Sequence, residues 1–223
     1  MSAITLQARA LLLDMDGTLV KSTAGVETVW RLWCQHHGLA PEPVLAMCHG
    51  VRAKEVIEAL APQLDIAQEM ARLDELELVH TGVAEPIEGA GTLLYGLHAD
   101  RWALVTSASK RVARDRLADA GLPQPGLMVG GDDVVRGKPD PEPYLLAASR
   151  LGLDPADCLV FEDAKAGIAS ALQAGCQVVQ IGGDRLLNAR ASGWVNDWRQ
   201  VRITAEAQDL RLTLSGQREC LPV

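Results

Sequence analysis

Residues 10–20, ALLLDMDGTLV, constrain this chain more than any other stretch. Ala10, Leu11, Leu12 and Leu13 have the composition of a buried strand, yet they run directly into Asp14, Asp16 and Gly17. Two carboxylates one residue apart repel each other and resist burial, so a core strand ends this way only where something offsets their charge. A cation is the simplest candidate. With the two-residue period of a strand, Asp14 and Asp16 project to the same side at its carboxyl end, where open α/β sheets bind ligands. Two oxygens there suit Mg²⁺, which prefers carboxylates together with water and phosphate oxygens. A calcium loop shares the DxDG spelling but fails on spacing, because its turn glycine would fall at Leu19 and its bidentate glutamate at Gly25.

Similar short apolar runs recur at 102–105, 127–129, 158–161 and 178–181. Helical patterns lie between them. Val112, Leu117 and Ala120 share a face before a stop signal at Gly121, and Ile168, Ala169 and Leu172 do so before Gly175. This alternation predicts an α/β fold with a Rossmann-like, doubly wound parallel sheet. A length of 223 residues accommodates one such domain, or one carrying a smaller insertion. Residues 21–85 break the rhythm, with helical patterns throughout: Val26, Val29, Trp30 and Trp33 in one set, Ile66, Met70 and Leu73 in another. We therefore expect a core of residues 1–20 and 86–200 and an inserted α-helical cap over 21–85. In residues 201–223 the alternation Leu210, Leu212, Leu214 predicts an edge strand or a loose tail.

Composition narrows the function classes. No segment approaches the roughly 18 uninterrupted apolar residues of a membrane span, and MSAITLQARA lacks the basic start and apolar core of an export signal. We expect a soluble, cytoplasmic protein with no membrane partner. A net charge of −8 without a lysine or arginine run argues against a nucleic-acid partner. Cys34, Cys48, Cys158, Cys176 and Cys220 are scattered and read as reduced structural thiols. Both a monomer and a homodimer are compatible with this composition.

Three further stretches bear chemistry. In VTSAS, Thr106 and Ser107 end a strand and offer hydroxyls, with the free N–H groups of the following helix, to a phosphate; helix capping is the competing use. In RGKPDPEPY, Lys138 sits where glycine and proline set the backbone. In LVFEDAKAG, Glu162 and Asp163 end another strand and either complete an oxygen cage around the cation or serve as acidic helix caps.

In their order, DMDGT, TSAS, GKPDPEPY and FEDAKAG resemble the four motifs of the haloacid dehalogenase superfamily, over residues 8–183. The cap stretch GVETVWRLWCQHHGLAPEPVLAMCHGVRAKEVI, and His49-Gly50 in particular, is similar to the sugar phosphatases related to glycerol-3-phosphate and 2-deoxyglucose-6-phosphate phosphatases. The resemblance implies a Mg²⁺-dependent phosphatase acting on small phosphorylated sugars or polyols. It makes Asp14 the nucleophile that forms an aspartyl-phosphate and Asp16 the general acid and base. Asp14, the carbonyl of Asp16, Glu162 and Asp163 would hold the metal, and Lys138, Thr106 and Ser107 the non-bridging phosphate oxygens. His49, Arg52 and Lys54 would meet sugar hydroxyls or a second anionic group; alternatively Arg52 and Lys54 are solvated charges and His49 a packed residue. Asp16 separates the chain from dehalogenases and phosphonate hydrolases, which lack it. A phosphomutase of the β-phosphoglucomutase type keeps the pair. Lys110 resembles a residue with which that mutase holds its second phosphate, whereas Val26 stands where it carries a cap histidine. A non-catalytic binder of phosphorylated ligands is a further alternative, opposed by the intact set Asp14, Asp16, Lys138 and Asp163. Lys21 stands where relatives often carry aspartate after GTLV, which bears on the hinge and on selectivity.

Overall fold

The structure, a computed structural model, describes residues 3–80, 84–183, 187–206 and 209–215. It opens with β1 (Ile4–Ala8) and β2 (Ala10–Leu13), followed by α1 (Thr23–His37), α2 (Pro41–Met47), α3 (Ala53–Leu60) and α4 (Ile66–His80). Next come α5 (Ala90–Tyr95), β3 (Trp102–Val105), α6 (Lys110–Asp119), β4 (Leu127–Val129) and α7 (Glu142–Leu151). The chain continues through β5 (Cys158–Glu162), α8 (Lys165–Ala174), β6 (Gln177–Ile181), β7 (Gly193–Val195), β8 (Val201–Ala205) and β9 (Leu210–Leu214).

Six strands form one parallel sheet in the order β4-β3-β2-β5-β6-β7. Helices cover both faces, so every residue of β2, β3 and β5 is buried and the runs are apolar without alternation. Leu11, Leu13, Leu104 and Phe161 face one apolar cluster, while Leu12, Ala103, Val105 and Val160 face the other. The sheet is doubly wound. Its strand order reverses between β2 and β5, which is where ligands enter such folds.

The C-terminal alternation differs from expectation. β9 is neither an edge strand nor a tail but the middle strand of a second, antiparallel sheet ordered β1-β9-β8. Leu210, Leu212 and Leu214 all point into the larger core cluster, and Leu212 pairs with Leu6 on one side and Ile203 on the other. Strands β1 and β8 are short and half exposed, so their own patterns are weak, and β9 gathers them by hydrogen bonding across the whole chain length. Residues 216–223, including Cys220, and residues 81–83 of the expected cap lie outside the described residues.

Helices α1–α4 bury their apolar faces on one another, with Val29, Trp33, Val56, Ile57 and Leu73 at the centre of a separate cluster. Within it, the Trp33 indole donates to Glu69 at 2.8 Å and His37 lies 2.9 Å from the same carboxylate oxygen, which compensates the burial of Glu69. The chain leaves and re-enters the sheet domain at adjacent points. Val20 bridges Pro86, the Lys21 amide donates to the Glu85 carbonyl at 2.8 Å, and the Lys21 ammonium lies 2.6 Å from Glu88. Lys21 thus ties the two crossings together. Among the described residues no helix is long and apolar enough to cross a membrane.

Candidate active site

The carboxyl end of β2 is extended by one residue, because the Asp14 amide donates to the Phe161 carbonyl at 3.1 Å. The chain then turns tightly, with Gly17 N–H donating to the Val20 carbonyl at 2.8 Å and the Trp198 indole donating to the Thr18 carbonyl at 2.8 Å. Gly17 has φ +79°, and a Cβ there would run into the Asp163 carboxylate, so glycine is required twice over. This close approach brings the DMDGT turn against the end of β5.

Lys138 is the hinge of the charge arrangement. Its buried ammonium donates to Asp14 Oδ1 at 2.7 Å, Glu162 Oε1 at 2.6 Å and the Val105 carbonyl at 3.0 Å. An ammonium has three donors, so all are committed within the protein and none is left for the phosphate contact expected from the sequence. Glu162 is equally occupied: Tyr144 donates to its Oε1 at 2.9 Å and the Ala164 amide to its Oε2 at 3.2 Å. A side chain on Gly167 would overlap that carboxylate, which explains glycine inside the first turn of α8.

Burial pushes Asp14 up to about 7, and the Glu162 charge adds to the rise while Lys138 opposes it. Asp163 is raised well above the ordinary carboxylate range, again by burial first and then by Asp14 and Glu162. Burial works against the Lys138 charge, but the two carboxylates beside it prevail and raise its pKa. Ligand oxygens of Asp14, Glu162 and Asp163 lie within 4.8 Å of one another. Two buried carboxylates and the partly buried Asp163 against one ammonium leave negative charge uncompensated, and hard oxygen donors at this spacing fit a divalent cation.

Thr106 and Ser107 follow β3 and line the same cleft as Asp14, Asp16 and Asp163. Capping of α6 falls to Ser109, whose hydroxyl accepts from the Val112 amide at 3.4 Å. The Ser107 hydroxyl donates to the Gly50 carbonyl at 2.8 Å, a direct contact between sheet domain and cap. His49 lines the cleft with Nε2 3.3 Å from Glu27. Two cap expectations need correction. Arg52 is buried, and its guanidinium donates to the carbonyls of Gly131, Val134 and Val135 and to Glu55, so it fastens the cap loop to the loop after β4 rather than facing substrate. Lys54 does not line the cleft; it stands on the solvated face of α3, 3.8 Å from Glu58.

Sequence reading missed Arg116. It lies on α6 with the buried Val112, Ala113 and Leu117, is itself 3% exposed, and pairs with both Asp16 and Glu77 of α4. A signal existed, since Arg116 follows Val112 by four residues and interrupts the apolar face. Ser22 was missed too; its hydroxyl donates to Asp16 Oδ1.

The family model for haloacid dehalogenase-like hydrolases matches residues 8–175. The chain belongs to that family. It is 45% identical over 181 residues to hexitol phosphatase A of Escherichia coli (strain K12), covering 79% of this chain and 84% of that protein. Its identity to glycerol-1-phosphate phosphohydrolase 2 of Saccharomyces cerevisiae is 31% over 190 residues, or 80% and 76% of the two chains. In fold, this haloacid dehalogenase-like hydrolase is similar to a hydrolase from Pseudomonas syringae, with TM-score 0.71 at 24% identity over 84% of this chain and 92% of the other.

Proposed function

We propose that the chain is a Mg²⁺-dependent phosphatase that hydrolyses phosphomonoesters of small sugars or polyols through an aspartyl-phosphate on Asp14. The observation that carries this reading is the polarity of one cleft. Its deep end holds Asp14, Asp16, Asp163, Thr106 and Ser107, while its cap side adds the carboxylates Asp74 and Glu77. Among the described lining residues Arg116 is the sole lysine or arginine, and its two outer nitrogens pair with Asp16 and Glu77. One phosphate is accommodated at the deep end; a second would face carboxylates. The mutase alternative is weakened accordingly, since Lys110 is bound to Asp133 at 2.8 Å and Val26 lines the cleft. Relatives named for hexitol and glycerol phosphates support the substrate class.

In the first step an Asp14 oxygen attacks phosphorus, the ester P–O bond breaks in line, and Asp16 gives its proton to the leaving alkoxide oxygen. In the second, Asp16 takes a proton from water, the water oxygen attacks phosphorus, and the P–O bond to Asp14 breaks to release inorganic phosphate. Lys138 holds Asp14 in place, and the Thr106 hydroxyl and the Ser107 backbone amide receive the non-bridging oxygens. Asp14, Asp163 and the Asp16 carbonyl would hold Mg²⁺, with Glu162 contributing charge from behind Lys138. When bound, the ion offsets the repulsion between a carboxylate nucleophile and an anionic phosphate.

The test is phosphate release from hexitol, glycerol and hexose monophosphates, with Mg²⁺ and with a chelator, beside an assay for glucose 1-phosphate isomerisation. Release that requires the metal, with no isomerisation, is expected. Isomerisation without release would move the activity to the mutase, and silence in both would leave a binding protein.

Metal binding also has a stability signature. Unfolded aspartates ionise near about 4, whereas Asp14 ionises at about 7 in the metal-free fold. The metal-free fold therefore loses stability as pH rises through that window, because the unfolded chain sheds its protons first. Mg²⁺ binds the ionised carboxylates, so its effect on the melting temperature is expected to be larger at pH 8 than at pH 5. Equal shifts at both values in thermal unfolding would contradict the assigned site.

A further inference from the structure

We propose that Arg116 is the positioning residue for Asp16 and that it makes the placement of the general acid depend on the seated cap. The inference rests on the phosphatase reading and deepens it. The sequence of α6 puts Arg116 on the helix face that buries Val112, Ala113 and Leu117, where a guanidinium is tolerated only with charged partners. It has two, from different parts of the molecule. Nη1 donates to Asp16 Oδ1 and Nη2 donates to Glu77 Oε2 at 2.9 Å. Asp16 belongs to the turn after β2, one hundred residues away in sequence, and Glu77 to cap helix α4. Arg116 Nε is buried with no hydrogen-bond partner among the described residues, so the two outer nitrogens carry its pairing.

The geometry at Asp16 gives this bridge a purpose. The Asp16 side chain is 28% exposed, and a general acid must be held in one orientation to deliver its proton to a leaving oxygen. Ser22 and Arg116 both donate to Oδ1. They anchor that oxygen from two sides and leave Oδ2 for the leaving group. A planar guanidinium is suited to this task because its fork fixes the angle between two acceptors, which an ammonium cannot do. Since the other acceptor is Glu77, the fork is complete only when α4 sits on α6. Displacement of the cap removes one of the two partners that orient Arg116, and the aim of Asp16 loosens with it.

Leaving-group dependence tests this directly. A polyol phosphate departs as an alkoxide and needs the Asp16 proton, whereas p-nitrophenyl phosphate departs as a stable phenolate and does not. Both pass through the same attack by Asp14, and kcat/KM reads the steps up to departure. For Arg116→Met, kcat/KM is expected to fall about 100-fold on a hexitol phosphate, the lower end of a general acid's contribution, and to change little on p-nitrophenyl phosphate. Arg116→Lys, which keeps the charge but not the fork, is expected to show the same split and guards against a variant that fails to fold. In an Asp16→Asn background, Arg116→Met should add no further loss on the hexitol phosphate, because the residue it positions is already gone. Equal losses on both substrates, or a full additional loss in the Asp16→Asn background, would overturn the proposal and leave the phosphatase reading standing. Failure of the unaltered protein to release phosphate from either ester would overturn that reading and this proposal together.

Discussion

An Asp14→Asn chain is expected to release phosphate at least about 10⁴-fold more slowly than the unaltered protein, while folding normally. The amide has no anionic oxygen to attack phosphorus, so the covalent route closes. Its carbonyl oxygen can still accept from the Lys138 ammonium, which now lies 2.7 Å from Asp14 Oδ1. The isosteric amide also removes one carboxylate from a buried cluster in which burial and Glu162 already disfavour its charge. The metal-free variant should therefore melt no lower than the unaltered protein. Steady-state kinetics and thermal unfolding on the same preparations check both halves. Residual turnover of a few per cent in a well-folded variant would mean that water attacks phosphorus directly and that Asp14 is a metal ligand without being a nucleophile.

Lys138→Met is expected to cost about 3–5 kcal/mol of stability as well as activity, because it leaves two buried carboxylates without their shared cation. Lys138 is 1% exposed and bonds Asp14, Glu162 and the Val105 carbonyl, so no solvent stands ready to replace it. Methionine matches much of the stem but none of the three donors. Combining it with Glu162→Gln should restore part of the loss, since the amide carries no charge to strand beside Tyr144, whose hydroxyl lies 2.9 Å from Glu162. Chemical denaturation of the single variants and of the double variant measures the coupling. A cost below about 1 kcal/mol for Lys138→Met would show that the cluster does not depend on its cation.

The two predictions draw on features that differ in how far they can be read from the chain itself. That Asp14 stands at the end of a buried strand follows from ALLLDMDGT, whereas the resemblance of four short motifs assigned Lys138 to the phosphate oxygens and not to Asp14. The reach of Lys138 across 124 residues to Asp14 required the fold. So did the division of labour within VTSAS, where Ser109 caps α6 while Thr106 and Ser107 line the cleft. Arg52 shows the opposite case. In sequence it is a charged residue beginning a helix, equally able to meet solvent or substrate, and burial under the loop after β4 turns it into a fastening between two parts of the molecule.

By itself the sequence determined the parallel α/β sheet, the run of helices after β2 and the placement of carboxylates at strand ends, because each is written in a local period of two or 3.6 residues with a turn signal at its end. The tertiary structure alone decided that β9 is a central strand and that Arg116 joins Asp16 to the cap. It also placed all the Lys138 donors inside the protein. Those outcomes depend on which distant side chains compensate one another once buried, and a buried charge or an unpaired strand edge carries no periodicity that would name its partner.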